Sequence, residues 1–278
     1  MHRKDFLFSL LIIFAISGAK AHAADAPAMK LWRLDCGTVQ VDDLNSFSDT
    51  YAYTGRSKRL TASCYLIKHG DDYMLWDTGF SKADLGLPLQ GKGSKGNTLT
   101  ISVVDQLGKL GVDPQKIAIV GISHYHYDHT GQADDFHQAR LLMGNRDVQE
   151  LRAPNNPQAK ALAFWLNGSG KLDEVKGDRD VFEDGSVVML DLPGHTPGHH
   201  GLLVKLPKTG YVLLSGDLAH FRENYDSNGI PSWNSDRAQS VASMERVKQI
   251  VKNLHATFVI QHDPDDIGKL PQFPQAAE

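Results

Sequence analysis

Residues 117–131 read Ile-Ala-Ile-Val-Gly-Ile-Ser-His-Tyr-His-Tyr-Asp-His-Thr-Gly. The first six are apolar and rich in β-branched side chains, which predicts a buried strand from Ile117 to Ser123. The histidines follow where the strand must stop and become loop. Strand alternation sends His124 and His126 to one side, and a break after Tyr127 lets Asp128 and His129 turn toward a second point nearby. Three imidazoles and a carboxylate packed this closely would desolvate and repel one another without a cation between them. Nitrogen and carboxylate donors suit zinc, iron, manganese or cobalt rather than a thiolate-preferring ion.

Three further apolar runs end on the same residue types. Val187-Val188-Met189-Leu190 leads into the Pro/Gly-framed turn Leu192-Pro193-Gly194-His195-Thr196-Pro197-Gly198-His199. Tyr211-Val212-Leu213-Leu214 runs into Ser215-Gly216-Asp217, and Ala256-Thr257-Phe258-Val259-Ile260 into Gln261-His262-Asp263. A lone histidine at a strand end, or an aspartate after Ser-Gly, is ordinarily a hydrogen-bonding or turn-forming residue. Their weight comes from recurrence at four strand ends in one chain.

The order His-x-His-x-Asp-His, Gly-His-Thr-Pro-Gly-His, Ser-Gly-Asp and a last strand-end histidine resembles the metallo-β-lactamase superfamily, from about Cys64 to His262. Leu75-Trp76-Asp77-Thr78-Gly79 is similar to that family's early Asp-Thr-Gly turn, whose aspartate supports a ligating histidine from behind. The resemblance implies an α/β fold, an αββα sandwich, with ligands at the strand ends. It also implies two divalent cations, Zn²⁺ foremost and Fe, Mn or Co as alternatives. One would be held by His124, His126 and His195 and the other by Asp128, His129 and His262, with Asp217 bridging both. A hydroxide shared by the two metals is then the implied nucleophile.

Asp217 narrows the chemistry, because zinc β-lactamases generally lack this bridging aspartate, whereas lactonases, phosphotriesterase-like members and glyoxalase II-type thioesterases have it. In motif spacing, and in Asp236-Arg237-Ala238 with the long helix that follows, the chain most resembles the N-acyl homoserine lactone lactonases. That implies quorum-quenching ring opening, with Asp128 passing a proton to the departing alkoxide. Where those enzymes carry a tyrosine three positions after the bridging aspartate, this chain has His220, the expected substrate hydrogen-bond donor, with Tyr225 as the competing one. His199 and His200 are expected either to support the site or to face solvent. The alternatives are a β-lactam, ester or phosphotriester hydrolase, and, in another class, an exported metal-binding protein without chemistry.

Met1-His2-Arg3-Lys4-Asp5, the apolar run Phe6 to Ala19 and Ala21-His22-Ala23 have the form of a secretory signal peptide, residues 1–23, cleaved after Ala23. The run is shorter than the roughly 20 residues that span a bilayer. The expectation is a periplasmic or secreted protein, residues 24–278 forming one domain. Removing residues 1–23 leaves 26 Lys and Arg against 32 Asp and Glu, a formal charge of −6. No basic stripe remains, so nucleic acid is not an expected partner, nor is stable membrane insertion after cleavage. The expected partner is a small acyl lactone, with a homodimer left open. The two cysteines, Cys36 and Cys64, admit a disulfide in an oxidising compartment or two separately buried thiols.

Strands are expected at 30–35, 62–69, 73–77, 117–123, 140–143, 187–192, 201–206, 211–215 and 257–261. Helices are expected at 102–110, 145–151 and 236–254, the last with Val241, Met244, Val247, Ile250, Val251 and Leu254 on one face. Segments 41–60 and 155–180 lack periodicity and are candidate lids. Phe221, Tyr225 and Trp233 are candidates for an apolar pocket.

Overall fold

The computed structural model describes residues 27–278; the expected signal peptide, residues 1–23, lies outside the described residues. Seven strands form the first sheet: β1 (Met29–Val41), β2 (Lys58–His69), β3 (Asp72–Trp76), β4 (Asn97–Thr98), β5 (Ile117–Ile122), β6 (Arg140–Gly144) and β7 (Leu172–Val175), in the order β4-β1-β2-β3-β5-β6-β7. Five form the second: β8 (Arg179–Asp180), β9 (Val187–Asp191), β10 (His200–Leu206), β11 (Gly210–Leu214) and β12 (Thr257–Val259), in the order β12-β11-β10-β9-β8. The helices are α1 (Val103–Lys109), α2 (Tyr127–Thr130), α3 (Asn145–Leu151), α4 (Ala163–Leu166), α5 (Arg222–Ser227) and α6 (Arg237–Leu254).

Three apolar clusters define four layers. Between the sheets, Leu31, Tyr65, Ile67, Met74, Trp76 and Ile119 meet Val187, Met189, Leu202, Val204, Val212 and Leu214. On the outer face of the first sheet, Val120, Ile122, Leu141 and Met143 pack against Val103 and Leu107 of α1, Val148 and Leu151 of α3, and Trp165 of α4. On the outer face of the second, Leu190, Leu213 and Phe258 pack against Met244 and Val247 of α6. β5 is apolar almost throughout because it pairs in parallel with β3 and β6 and has both faces covered. The αββα sandwich is therefore the observed architecture.

The α6 helix starts at Asp236, whose carboxylate accepts the Gln239 N–H at 2.8 Å as an N-cap, and stops at His255 with φ +50. Besides the expected apolar stripe, its buried face carries Ser240 and Ser243. Small side chains are needed there because the loop bearing His195 comes close: a Cβ on Gly194 would lie 2.3 Å from the Ser240 nitrogen.

Strands β4, β7 and β8 are additions to the sequence reading. Segment 155–180 is not structureless: it holds a 3₁₀ turn (Pro157–Leu162), α4, β7 and β8. Of the two readings open for the cysteines, the structure has the disulfide, joining Cys36 on β1 to Cys64 on β2. β3, β5, β9, β11 and β12 all stop on the same rim of the sandwich, which is where the chemistry collects.

Candidate metal centre

The polar residues of this rim lie just beyond strand ends or in the turns that follow them. His124 follows β5, Asp217 follows β11, and His262 follows β12. His195 sits in the turn between β9 and β10, and α2 turns Asp128 and His129 back toward the rim. Two donor groups result: His124, His126, His195 and Asp217, and beside them Asp128, His129 and His262.

In the first group His124 Nε2 lies 2.8 Å from His126 Nδ1 and 3.1 Å from His195 Nε2, and His195 Nε2 lies 3.0 Å from His126 Nδ1. Asp217 Oδ2 is 3.2 Å from His195 Nε2. In the second, His129 Nε2 and His262 Nε2 are 3.3 Å apart, and Asp217 Oδ1 lies 3.2 and 2.9 Å from them. Asp128 Oδ2 stands 3.7 Å from His262 Nε2. One carboxylate thus offers an oxygen to each group.

The outward nitrogens settle what the inward ones are. His129 Nδ1–H donates to Asp77 Oδ2 at 2.9 Å, His195 Nδ1–H to Asn234 Oδ1 at 3.1 Å, and His262 Nδ1–H to the Thr61 carbonyl at 2.6 Å. His124 Nδ1 shares a hydrogen bond of 3.1 Å with the hydroxyl of Ser123. A neutral imidazole has one N–H, so in the neutral form of the three rings whose outward partner can only accept, His129, His195 and His262, the inward nitrogen is a bare lone pair. Asp217 Oδ1, buried, accepts no hydrogen bond at all. Lone pairs and an unpartnered carboxylate oxygen converging at these separations repel, and nitrogen-plus-carboxylate donor sets of this kind suit zinc and its neighbours. The residues fit two divalent cations.

Electrostatics agrees. Burial pushes the His124 and His195 imidazoles well below the usual histidine range and that of His126 below it, leaving neutral donors. Burial acts the same way on His129 and His262, but the carboxylates outweigh it: Asp217, Asp77 and Asp128 raise His129, and Asp217 and Asp128 raise His262. Burial would also raise the Asp217 carboxyl, yet His262, His129, His220 and His124 hold it well below its ordinary value. The second group therefore demands positive charge, and a cation bound there would release protons.

Supporting residues lock this geometry. Asp77, buried, accepts the Ser123 N–H at 2.7 Å and Gln261 Nε2 at 2.7 Å in addition to His129. His199 is buried, not at the surface: its Nδ1–H donates to the Leu192 carbonyl at 2.9 Å and its Nε2 accepts the Asp217 N–H at 2.8 Å. His200 is also buried, against the Gly177 and Gly198 carbonyls. Asp147 on α3 accepts Thr196 Oγ1 at 2.8 Å and the Gly198 N–H at 2.6 Å, tying down the turn that bears His195. Asn234, Gln261 and Asp147 escaped the sequence reading because each is an ordinary polar residue in loop or helix. Only the proximity of a ligand gives them meaning.

A cavity of about 350 Å³ opens over the donors, lined by His126, Asp128, Asp217, His220 and His262 on the polar side and by Val39, Val41, Phe47, Leu60 and Trp233 on the apolar side. Segment 41–60 contributes Phe47 and Leu60, and segment 155–180 contributes Gln158, so both expected lids border the site. Trp233 lies in the wall, its ring 5.1 Å from that of His195. Phe221 instead packs behind the wall with Leu44, Tyr53 and Leu60. Tyr225 packs against Phe258, the ring centroids 4.4 Å apart, and does not line the pocket, which removes it as the competing donor. His220 is buried at the pocket edge with Nε2 3.1 Å from Asp217 Oδ2, and its Nδ1 has no partner.

The sequence and the fold have counterparts among known proteins. The chain is 28% identical over 177 residues to the N-acyl homoserine lactonase AttM of Azorhizobium caulinodans, covering 58% of this chain and 64% of that protein. It is 25% identical over 253 residues to an N-acyl homoserine lactonase of a Bacillus species, covering 88% and 98% of the two chains. Among solved structures, a quorum-quenching N-acyl homoserine lactone hydrolase superposes with a TM-score of 0.74 at 23% identity, over 89% of this chain and 98% of that one, so the fold is shared. Residues 58–262 match the Metallo-beta-lactamase superfamily model, and this chain belongs to that superfamily of metal-dependent hydrolases.

Proposed function

We propose that the chain opens the lactone ring of N-acyl homoserine lactones at a dinuclear metal centre. The observation that carries the reading is Asp217: one buried carboxylate facing both donor groups, at the floor of a pocket with an apolar wall. Two bound divalent cations, zinc foremost, would acidify a water to near neutrality and polarise the scissile carbonyl. His124, His126 and His195 would hold one of them, Asp128, His129 and His262 the other, and Asp217 both.

The chain's own groups do the rest. Val39, Val41, Phe47, Leu60 and Trp233 give an acyl chain an apolar surface and keep water from the reacting carbonyl. Asp128, which lines the pocket, would carry a proton to the departing alkoxide. His220 donates Nε2–H to Asp217 in one tautomer, which leaves Nδ1 a buried acceptor without a partner. Donation to a substrate carbonyl, as the family tyrosine would do, requires the other tautomer. The relatives' activities and their overall likeness to this chain support the lactone as substrate.

The disulfide between Cys36 and Cys64 and the leader-like residues 1–23 support a place outside the cytoplasm, in the periplasm or secreted. The deciding experiment follows proton release from short- and long-chain N-acyl homoserine lactones by metal-loaded protein, beside a β-lactam and a phosphotriester. Lactone opening that dominates the panel, with two metals per chain and loss of activity in Asp217→Ala, is expected. Metal uptake without turnover of any substrate would make the protein a binder, and full activity in Asp217→Ala would end the shared-carboxylate mechanism.

A further inference from the structure

A second cavity, of about 540 Å³, adjoins the first, lined by Ser81, Thr130, Gly131, Asp134, Lys160 and Ala161 among others. Tyr127 and Gln158 line both. Gln158 is held at this border by the 3₁₀ turn Pro157–Leu162, whose first turn is fixed by Asn156 Oδ1 accepting the Gln158 N–H at 3.0 Å. Its side-chain Oε1 is buried and accepts no hydrogen bond. Leaving such an acceptor unmade is unfavourable, and because Gln158 itself lines both cavities, a small turn of its side chain would offer this oxygen to a donor that enters the pocket.

An N-acyl homoserine lactone has one hydrogen-bond donor. Its ring ester and its acyl carbonyl only accept, and the single N–H belongs to the amide that joins ring to tail. A phosphotriester or a simple alkyl lactone offers no donor of this kind. We propose that Gln158 Oε1 accepts the amide N–H of an N-acylated lactone, making Gln158 the residue that selects amide-bearing lactones over amide-free ones. The assignment rests on the lactonase reading above and deepens it. The ring lies over the metal donors, the amide faces Gln158, and the other side of the pocket stays free for the apolar tail.

The test compares kcat/KM on N-hexanoyl homoserine lactone with kcat/KM on a γ-lactone bearing an alkyl chain of similar length and no amide. In Gln158→Leu the preference for the amide substrate falls about 3- to 10-fold, the loss of one neutral hydrogen bond, while amide-free turnover stays within about twofold. Gln158→Glu keeps the acceptor and keeps the preference. A Leu variant with unchanged preference, or with both substrates lowered equally, overturns the assignment of Gln158 alone. Wild-type protein inert on both lactones overturns the lactonase reading and this assignment with it.

Discussion

The Nε2 atom of His199 accepts the backbone N–H of Asp217 at 2.8 Å, while its Nδ1–H donates to the Leu192 carbonyl. A buried imidazole therefore braces the backbone of the shared carboxylate against the end of β9. Gly216 must be glycine for this to happen: its φ is +52 and a Cβ there would lie 2.5 Å from His199 Nε2.

His199→Leu leaves the Asp217 N–H buried without an acceptor, at a cost of about 1–3 kcal/mol. Burial holds His199 down to about 4, below its unfolded value. Between that value and about 6.5 the unfolded chain binds a proton that the folded chain refuses, so this residue's stabilisation is present above the upper limit and is lost as pH falls toward 4. Thermal unfolding at saturating metal should show the wild type losing its advantage over His199→Leu on acidification from pH 7 to 5. A difference that is constant with pH, or widens in acid, refutes the assigned role.

Asp77→Ala removes the acceptor of the His129 Nδ1–H, of the Ser123 N–H and of Gln261 at once. Loss of such a partner weakens metal binding by about 10- to 100-fold. Competition with a chelator should show the second cation leaving first, because His129 belongs to that group, with the first retained. Equal weakening of both, or none, would mean Asp77 serves the fold and not the ligand.

The motif residues were legible in the sequence because ligands carry a chemical signature and the strands that deliver them carry a periodic one. His124, His126, Asp128, His129, His195, Asp217 and His262 all lie where an apolar run stops, and the structure brings all seven to one rim. What was not legible depends on contacts between distant segments. β7 and β8 are short and lean on neighbouring strands rather than on a pattern of their own. Ser240 and Ser243 look like the polar face of a helix until the His195 loop is seen pressing on them. Tyr225 and Phe221 are aromatic and near Asp217 in sequence, yet α5 turns them toward Phe258 and Leu60 instead of the pocket.

The disulfide closes a loop of 28 residues between β1 and β2, and it lies under the turn that carries Asp77: a Cβ on Gly79 would sit 2.4 Å from the Cys36 Cβ. A chain-entropy estimate for that loop gives about 3–4 kcal/mol, or a fall in Tm of roughly 10 °C for a domain of this size. Both sulfurs belong to residues with no exposed surface, so the comparison is the Cys36→Ala, Cys64→Ala double variant against the parent, with metal present. Asp77 keeps its three hydrogen-bond partners in that variant, so kcat/KM at a temperature where both are folded should stay within about twofold. A large loss of turnover at full metal occupancy would show that the bridge shapes the site itself.

Asp147 gives a pH effect of opposite sign from that of His199. Burial lifts its carboxyl to about 7, against the lowering effect of hydrogen bonds from Thr196, Gly198 and the Tyr125 backbone. An acid raised in this way keeps its proton in the folded chain where the unfolded chain has already released it. The folded state is then favoured at the acid end, and stability falls as pH rises from about 4 through 7, after which both states are ionised and the effect levels off. Asp147→Asn is close in shape, retains an acceptor and cannot ionise, so it lacks this slope. The Tm of the variant relative to wild type should climb between pH 5 and 7 and flatten above it. Because Asp147 anchors the turn bearing His195, metal content measured on the same samples separates a loosened turn from a simple charge effect. A relative Tm that drops over that interval would mean the carboxylate is stabilised by its hydrogen bonds and not penalised by burial.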